Sequence, residues 1–195
     1  MLTLFTAPKA FRGHIGVIQR NAIRSWTLLG EGCRVIVFGD EEGTAEAARD
    51  LGVEHVLEVE RNEYGTPLVS DLFRQAWLRS RYEVMCYVNA DIVFLSDFRK
   101  AVARVAGLRR EFLLVGRRWN VDWTEPLEFD PGWEERLRSH VREHGTLYKP
   151  SGIDYFVHPR GLWPQIPPFA VGRAAWDNWM VYGARRVGAR VISTQ

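Results

Sequence analysis

Short apolar runs alternate along the chain with longer segments in which apolar side chains recur at helical spacing. In the first half, this alternation predicts a strand followed by a helix about three times, which implies a mainly parallel sheet with right-handed crossovers. The predicted strands cover residues 2–6, 34–38, 54–59, 84–88 and 112–115. The predicted helices cover residues 15–29, 44–51, 67–80 and 97–106.

The second half of the chain is predicted to be rich in loops, because residues 117–131 show no periodicity and prolines interrupt residues 164–168. The regular elements predicted there are a polar helix at 133–144, a strand at 155–157, a helix at 174–188 and a strand at 189–194. Long irregular segments in a compact domain tend to be functional. Since no linker is visible, we predict one α/β domain over residues 1–195, with helices on both faces of its sheet.

The most informative stretch is the predicted strand 84–88 and the residues that follow it. The run V-M-C-Y-V is apolar throughout, which is typical of a strand buried on both faces. Asn89-Ala90-Asp91 comes next, and a second apolar run, I-V-F-L, follows. Because an unpaired carboxylate costs several kcal/mol to bury, we expect Asp91 at the mouth of a cleft, where open α/β sheets bind ligands. The alternative is that Asn89 and Asp91 form only a tight turn.

The composition is that of an ordinary globular domain. Hydrophobic residues make up 46% and charged residues 26% of the chain, and the net charge of +2 gives no electrostatic reason to expect nucleic acid as a partner. No apolar run is long enough to span a membrane, and residues 1–11 lack the pattern of a secretory signal. Cys33 and Cys86 lie in apolar runs and are predicted to be free thiols, which favours a reducing compartment, the cytoplasm.

Several short motifs resemble those of the nucleotide-sugar-dependent glycosyltransferases of the GT-A fold. The diagnostic one is Y-V-N-A-D-I-V-F at 87–94, which stands after a β-α-β-α-β half in the slot of the family's Asp-x-Asp motif. Supporting motifs are S-G-I-D-Y-F-V-H-P-R at 151–160 and W-D-N-W at 176–179. The resemblance covers nearly the whole chain and implies a GT-A-like domain with a Rossmann-like sheet.

By this resemblance, the chain is expected to be a glycosyltransferase of the hexosyltransferase type. The implied donor is a UDP- or GDP-linked sugar, and the implied acceptor is a glycan or a small hydroxyl compound. Residues 1–116 would form the nucleotide-binding half and residues 117–195 the acceptor-binding half. Two alternatives stay open: a non-catalytic nucleotide-sugar or glycan-binding module, and a sugar-phosphate nucleotidyltransferase. The latter requires a glycine- and arginine-rich loop after the first strand, where this chain has T-A-P-K-A-F-R-G-H.

In this family the last acid of the triplet binds a divalent metal, Mn²⁺ or Mg²⁺, which stabilises the negative charge of the leaving diphosphate. The resemblance makes Asp91 that ligand. The first position holds Asn89, whose amide can hydrogen-bond a ribose or sugar hydroxyl but is a poorer metal ligand than an acid. Many members take a second ligand, often a histidine, from near the carboxyl end. Since the sequence stops at Gln195, we expect that ligand to be missing or replaced by His158 or water.

The resemblance also implies a set of donor contacts in the first half. The implied nucleotide-sugar contacts are Thr6, Ala7 and Pro8 at the base and ribose, Asp40 as a hydrogen-bond acceptor, Thr66, Asp71, Asn89 and Asp91. Thr66 is equally well explained as the N-cap of a helix that starts at Pro67. For Lys9, a solvated loop lysine is favoured over a phosphate contact.

The candidate residues of the acceptor side lie in the second half. Asp177, at a helix start, corresponds to the general base of inverting members, but it can also cap the helix and interact with its dipole. Asp154, just before a strand, is the rival base or a ligand of the acceptor hydroxyl. Trp119, Trp123 and Trp176 either stack on sugar rings or belong to the core.

Overall fold

Strands and helices alternate through the chain largely as its hydrophobic pattern predicts. The computed structural model describes residues 1–108, 110–149 and 152–194, so Ser151 of the motif at 151–160 and the terminal Gln195 lie outside the described residues. The strands are β1 (Leu2–Thr6), β2 (Cys33–Phe38), β3 (Glu54–Val56), β4 (Val84–Val88), β5 (Phe112–Gly116), β6 (Trp119–Asn120), β7 (Thr146–Leu147), β8 (Tyr155–Pro159) and β9 (Arg190–Thr194). The helices are α1 (Gly13–Thr27), α2 (Thr44–Leu51), α3 (Val69–Arg79), α4 (Ser96–Leu108), α5 (Trp133–His144) and α6 (Trp176–Arg186). Every helix described is too short or too polar to cross a membrane.

Seven of the strands form one sheet in the order β3-β2-β1-β4-β8-β5-β9. β1 pairs in parallel with β2 and β4, β2 with β3, and β5 with β9. The exception is β8, which runs antiparallel to both of its neighbours, β4 and β5. This confirms the prediction of a mainly parallel α/β sheet, and the sheet takes strands from both halves of the chain.

Helices cover both faces of the sheet, as predicted. Leu2 and Leu4 of β1 belong to the hydrophobic cluster under α1 and α4, in which Trp26 is fully buried. Phe5, which points to the other face, belongs to the cluster under α3 and α6, in which Met180 is fully buried. Complete burial of an apolar side chain of this size contributes about 1.5–3 kcal/mol, so the two clusters hold the layers together.

The parallel strands all end at one edge of the sheet, and the candidate residues gather there. The loops at this edge hold residues 7–9 after β1, Asp40 after β2, 89–91 after β4 and 117–118 after β5. β8 starts at the same edge, because Tyr155 pairs with Val88 at the end of β4, and Asp154 directly precedes it. α6 also starts there, since it runs back across the sheet to the beginning of β9. The topology therefore brings the acids at 91, 154 and 177 to one edge.

The start of α3 differs from the prediction. The helix begins at Val69 and not at Pro67, because Pro67 and Leu68 form isolated bridges with Arg61 and Ala170. Thr66 is therefore not its N-cap; its backbone N–H donates to Oδ1 of Asn62 in the preceding loop (2.9 Å).

The second half contains a small ribbon that the sequence pattern does not reveal. Trp119 and Asn120 of β6 pair with Leu147 and Thr146 of β7. Two residues on each side are too few to produce a recognisable alternation of apolar and polar positions. The ribbon holds the loop after β5 next to α5.

Both cysteines are free thiols, as predicted. Cys86 is fully buried in β4, and Cys33 is half-buried in β2. Burial raises the pKa of both thiols above the ordinary value. They are therefore protonated at neutral pH and behave as small apolar residues.

Candidate functional site

The centre of the candidate site is a hydrogen-bond network that joins the ends of β4 and β5 to the start of β8. Asn89 donates its backbone N–H to the carbonyl oxygen of Asp154 (2.9 Å) and its side-chain amide to Oδ1 of Asp154 (3.0 Å). Arg118 donates to Oδ2 of Asp154 and forms an ion pair with it. The Arg118 guanidinium also lies over the ring of Tyr148, 4.0 Å from its centre. Both carboxylate oxygens of Asp154, which is only 8% exposed, are therefore occupied.

This network gives a physical reason for the amide in the first position of the triplet. An asparagine can donate to the Asp154 carboxylate, whereas an acid at position 89 would set a second negative charge against it. Asp154 is bonded to both Asn89 and Arg118, and these contacts hold the loop that carries Asp91. Each oxygen of the buried Asp154 carboxylate already accepts a hydrogen bond from a neighbouring side chain, which favours a structural role for this acid.

Asp91, the last residue of the triplet, is exposed and lies beside this network. Among the described residues, no ion pair or side-chain hydrogen bond involves its carboxylate. Neighbouring protein removes part of the water around this carboxyl group, and the negative charge of Asp154 adds to the effect, so the pKa of Asp91 is raised. The positive charges of Arg118 and Lys9 act in the opposite direction. Asp91 is thus a carboxylate whose charge is only partly compensated.

Tyr87 connects the triplet to the start of α6. Its buried ring lies edge-on to Trp176, with ring centres 5.2 Å apart. Burial raises the pKa of the Tyr87 hydroxyl, and the charges of Asp91 and Asp154 raise it further. The phenol is therefore neutral, and Trp176 in the first turn of α6 packs against the residue two positions before Asn89.

The loop after β1 is held in place by a side chain that the sequence analysis did not single out. Gln19, buried in α1, accepts the backbone N–H of Lys9 (2.8 Å) and donates to the Lys9 carbonyl oxygen (2.9 Å). The loop is thereby fixed so that the positive charge of Lys9 acts on Asp91. In the sequence, the sign of this role was a polar residue, Gln19, on the apolar side of the predicted helix at 15–29. Lys9 is exposed in this loop, in agreement with its interpretation as a solvated lysine.

The other residues expected at the base and ribose lie at the same edge of the sheet. Thr6 ends β1 and is fully buried, and its hydroxyl has no hydrogen-bond partner among the described residues. Ala7 is half-buried and Pro8 buried. Asp40 is exposed after β2 and forms an ion pair with Arg61, so its carboxylate is open to solvent on one side. Ala7, Pro8 and Asp40 are compatible with a nucleotide lying over the first two loops. The complete burial of Thr6 corrects the expectation that it contacts the base or ribose.

Asp71 does not belong to this group, which corrects the expectation that it contacts the nucleotide. Its side chain is fully buried and accepts hydrogen bonds from Glu60 N–H (2.8 Å), the Gln75 amide (2.8 Å) and Arg74. Burial alone would raise the pKa of Asp71, but these three donors hold it below the ordinary value. The carboxylate therefore fastens the segment before α3 to that helix. Thr66, half-buried in the same segment, is displaced from the helix start.

The tryptophans divide between core and surface. Trp176 is only 7% exposed and packs against Tyr87 and Phe156, so the expectation that it stacks on an acceptor sugar is wrong. Trp119 is 51% exposed on β6 and lines a cavity next to Asp91, and Trp123 lines the same cavity.

Asp177, in the first turn of α6, is half-buried. Its Oδ1 accepts the backbone N–H of Asn178 (2.8 Å), and no other hydrogen bond to this carboxylate occurs among the described residues. One oxygen therefore stays available, unlike either oxygen of Asp154.

Of the three alternatives for a second metal ligand, namely a missing ligand, His158 or water, the structure excludes His158. His158 pairs with Met85 near the start of β4, three residues before the end of the strand that carries the triplet. Its ring lies 5.4 Å from that of Phe73 and 4.7 Å from that of Trp163, inside the core. In the described part of the chain, no group of three or more histidines, cysteines or acids is placed to hold a metal ion.

We expect the ring of His158 to stay neutral until the pH falls to about 4, because burial lowers its pKa from 6.5 to about that value. Between these two pH values the unfolded chain binds more protons than the folded one, so the free energy of unfolding should decrease as the pH falls. An NMR titration of the ring and urea unfolding at several pH values would measure both effects. The decrease should be smaller in His158→Phe, and a wild-type ring that titrates at 6.5 would contradict the burial argument.

No protein-family model matches the sequence, and no curated protein matches it. Solved structures do match. Glucosyl-3-phosphoglycerate synthase from Mycobacterium tuberculosis, in complex with Mg²⁺ and UDP, is 14% identical and superimposes with a TM-score of 0.58 over 99% of this chain and 68% of its own. The same enzyme with Mn²⁺, UDP and phosphoglyceric acid is 15% identical, with a TM-score of 0.57 over 99% of this chain and 67% of its own.

A mannosyltransferase from Pyrobaculum calidifontis, in complex with GDP-Man and Mn²⁺, also matches 99% of this chain, with 14% identity and a TM-score of 0.59. Here the match covers only 54% of the other protein, so the chain spans about half the length of that enzyme. At these identities the likeness concerns the fold, and it extends over nearly all of the present chain. The fold of this chain is therefore the GT-A fold of the nucleotide-sugar glycosyltransferases, as the motif at 87–94 predicts.

Proposed function

We propose that the chain is a glycosyltransferase that moves a sugar from a nucleoside-diphosphate donor to a hydroxyl acceptor. The observation that carries the proposal is the exposed, only partly compensated carboxylate of Asp91 at the carboxyl-end edge of a GT-A sheet, with Lys9 beside it. Open α/β sheets bind their ligands at this edge. The bound UDP and GDP-Man in structures of the same fold support a UDP- or GDP-linked donor.

The residues present fit a divalent metal that binds together with the donor. Mg²⁺ commonly takes one or two carboxylates and completes its coordination with substrate phosphates and water. Asp91 supplies one such carboxylate, whose pKa is raised by partial burial and then by the charge of Asp154. When bound, Mn²⁺ or Mg²⁺ would stabilise the charge that develops on the leaving diphosphate. Lys9 would add positive charge on the same side.

We assign the donor to residues 1–116 and the acceptor to residues 117–195. On the donor side, Ala7 and Pro8 would contact the base and ribose, and the open side of the Asp40 carboxylate would accept a hydrogen bond. Asn89 is assigned a positioning role, because its amide is already bonded to Asp154.

For the general base we propose Asp177. One of its oxygens has no hydrogen-bond partner in the described part of the chain, whereas Asp154 is bonded at both oxygens. A base needs such a vacant oxygen to accept the proton of the acceptor hydroxyl. We assign Asp154 the task of holding Arg118 and the triplet loop in place.

We place the activity in a reducing compartment, the cytoplasm, because neither Cys33 nor Cys86 is oxidised to a disulfide. A second candidate function, a binding module without catalysis, is favoured by the amide at position 89. Transfer or slow hydrolysis of the donor would exclude this second function, and binding without either would establish it.

The decisive test is calorimetric titration of a panel of nucleoside diphosphates with and without Mn²⁺. We expect one nucleotide to bind in a metal-dependent manner, and Asp91→Ala to weaken that binding by about tenfold or more, since it removes a charged ligand. Mn²⁺ alone should bind weakly, because Asp91 is a single carboxylate and the diphosphate supplies the other ligands.

Asp50→Ala is the matched control for this titration. Asp50 is a surface acid of α2 whose carboxylate pairs with Arg20, and its removal should leave nucleotide binding unchanged. If no nucleotide binds the wild-type protein, or if binding in Asp91→Ala equals that of the wild type, the proposed donor site is refuted.

A further inference from the structure

A cavity of about 810 Å³ opens beside Asp91, between α4, α5 and the β6–β7 ribbon. Cavities that bind small organic ligands typically measure about 300–1,000 Å³ and are lined mainly by apolar side chains. The apolar residues that line this one include Phe94, Phe98, Leu114, Leu127, Leu137 and Val141. Its size and lining are therefore those of a site for an organic molecule with a substantial apolar part.

α5 covers one side of this cavity without filling it. Leu137 is the one buried residue among the twelve residues of α5. The helix is held to the start of α4 by polar contacts: Glu134 accepts the N–H (3.0 Å) and hydroxyl (2.8 Å) of Ser96, and Arg138 donates to Asp97 (2.7 Å). α5 thus offers only Leu137 and Val141 as apolar partners to the surface beneath it, and a ligand would supply further apolar contacts.

The charges around the cavity favour an anion. Four arginines (117, 118, 138 and 142) line it, against the two acids Asp91 and Asp97. Arg118, Arg138 and Arg142 are paired with Asp154, Asp97 and Glu135, respectively. Arg117 donates its Nε–H to the carbonyl oxygen of Tyr148 (2.8 Å) and has no carboxylate partner within the described residues. Its charge is therefore available to an anionic group at the rim.

We infer that the acceptor is a hydroxyl-bearing amphiphile whose apolar body occupies this cavity and whose anionic group is bound by Arg117. Calling this ligand the acceptor rests on the proposed glycosyl transfer. Asp91 lies at the boundary of the cavity and, by that proposal, also at the donor diphosphate, so the acceptor hydroxyl would lie next to the sugar. Trp119 and Trp123 would cover the apolar body at the rim instead of stacking on a sugar ring.

The test uses 8-anilinonaphthalene-1-sulfonate, a fluorescent anion with an apolar body, as the probe under native conditions. We expect one molecule to bind the wild-type protein, Val141→Trp and Ala101→Leu to abolish binding by filling the cavity, and Arg117→Gln to weaken it about tenfold. Arg104→Gln, which removes an exposed arginine of α4 outside the cavity, should have no effect. N-phenyl-1-naphthylamine, which lacks the sulfonate, should bind the wild type and Arg117→Gln equally.

A competition experiment then ties the cavity to an acceptor. A twelve-carbon 3-hydroxy acid should displace the probe, and its four-carbon analogue should not. Probe binding that survives both cavity-filling variants, or that is insensitive to Arg117→Gln, would overturn the inference, as would equal displacement by both acids. Nucleoside diphosphate binding, measured in the same variants, should be unchanged. Its absence from the wild type, with the probe results as expected, would refute the proposed function and leave the cavity as a binding site for amphiphilic anions.

Discussion

Asp177→Asn should lower kcat for sugar transfer by about 10³-fold and leave the affinity for the nucleoside diphosphate unchanged, since a positioned general base contributes roughly 10²–10⁴-fold. The substitution keeps the size of the side chain and the hydrogen bond that Oδ1 accepts from Asn178 N–H (2.8 Å). What it removes is the basic oxygen that remains in the half-buried first turn of α6. Steady-state kinetics combined with calorimetric titration would separate loss of turnover from loss of binding.

The competing interpretation of Asp177 is structural, because an acid in the first turn of a helix interacts favourably with its dipole. That contribution is about 0.3–1 kcal/mol of stability and would leave kcat nearly intact. Glu46→Gln, which removes an exposed acid from the first turn of α2, is the matched control. Loss of stability in both variants with normal kcat in Asp177→Asn would establish the structural role and exclude Asp177 as the base.

The sheet could be predicted from the sequence because its central strands are rich in apolar residues. V-M-C-Y-V at 84–88 and the first strand at 2–6 match the observed strands to the residue. Such apolar runs are typical of strands that are buried on both faces of a sheet, and the polar residues that follow them lie at the strand ends. The positions of Asp40, Asn89 and Asp91 at one edge followed from that argument alone.

The side-chain partners at this edge could not be predicted, because they depend on contacts between residues distant in the sequence. Asn89 and Asp154 are separated by 65 positions, and Arg118 and Asp154 by 36. The sequence also does not indicate whether an acid is exposed or has its hydrogen-bond partners within the protein. Asp91 is open to solvent, whereas Asp71 is buried and accepts hydrogen bonds from three donors. The same ambiguity placed Trp176 at the acceptor, although it lies in the core.

Asn89 stands where the Asp-x-Asp motif has an acid, and this difference is expected to stabilise the fold. Asn89→Asp, which restores the acid of that motif, should destabilise the fold by about 3 kcal/mol at neutral pH, the lower end of the cost of breaking a buried pair. The Asn89 amide now donates to Oδ1 of Asp154 at 3.0 Å, and the variant would place two carboxylates in contact there. Asn89→Ala, which removes the hydrogen bond without adding a charge, should cost only about 1 kcal/mol.

Whether repulsion between the two carboxylates causes the loss of stability in Asn89→Asp can be tested by varying the pH. Repulsion raises the folded-state pKa of the pair above the unfolded value, so the folded variant binds more protons and regains stability as the pH falls. Urea unfolding should therefore show a smaller difference between Asn89→Asp and wild type at about pH 5 than at about pH 8. In Asn89→Ala the difference should not depend on pH. If Asn89→Asp were as stable as wild type and bound the nucleotide with Mn²⁺ more tightly, position 89 would be a metal-ligand position and not the donor that orients Asp154.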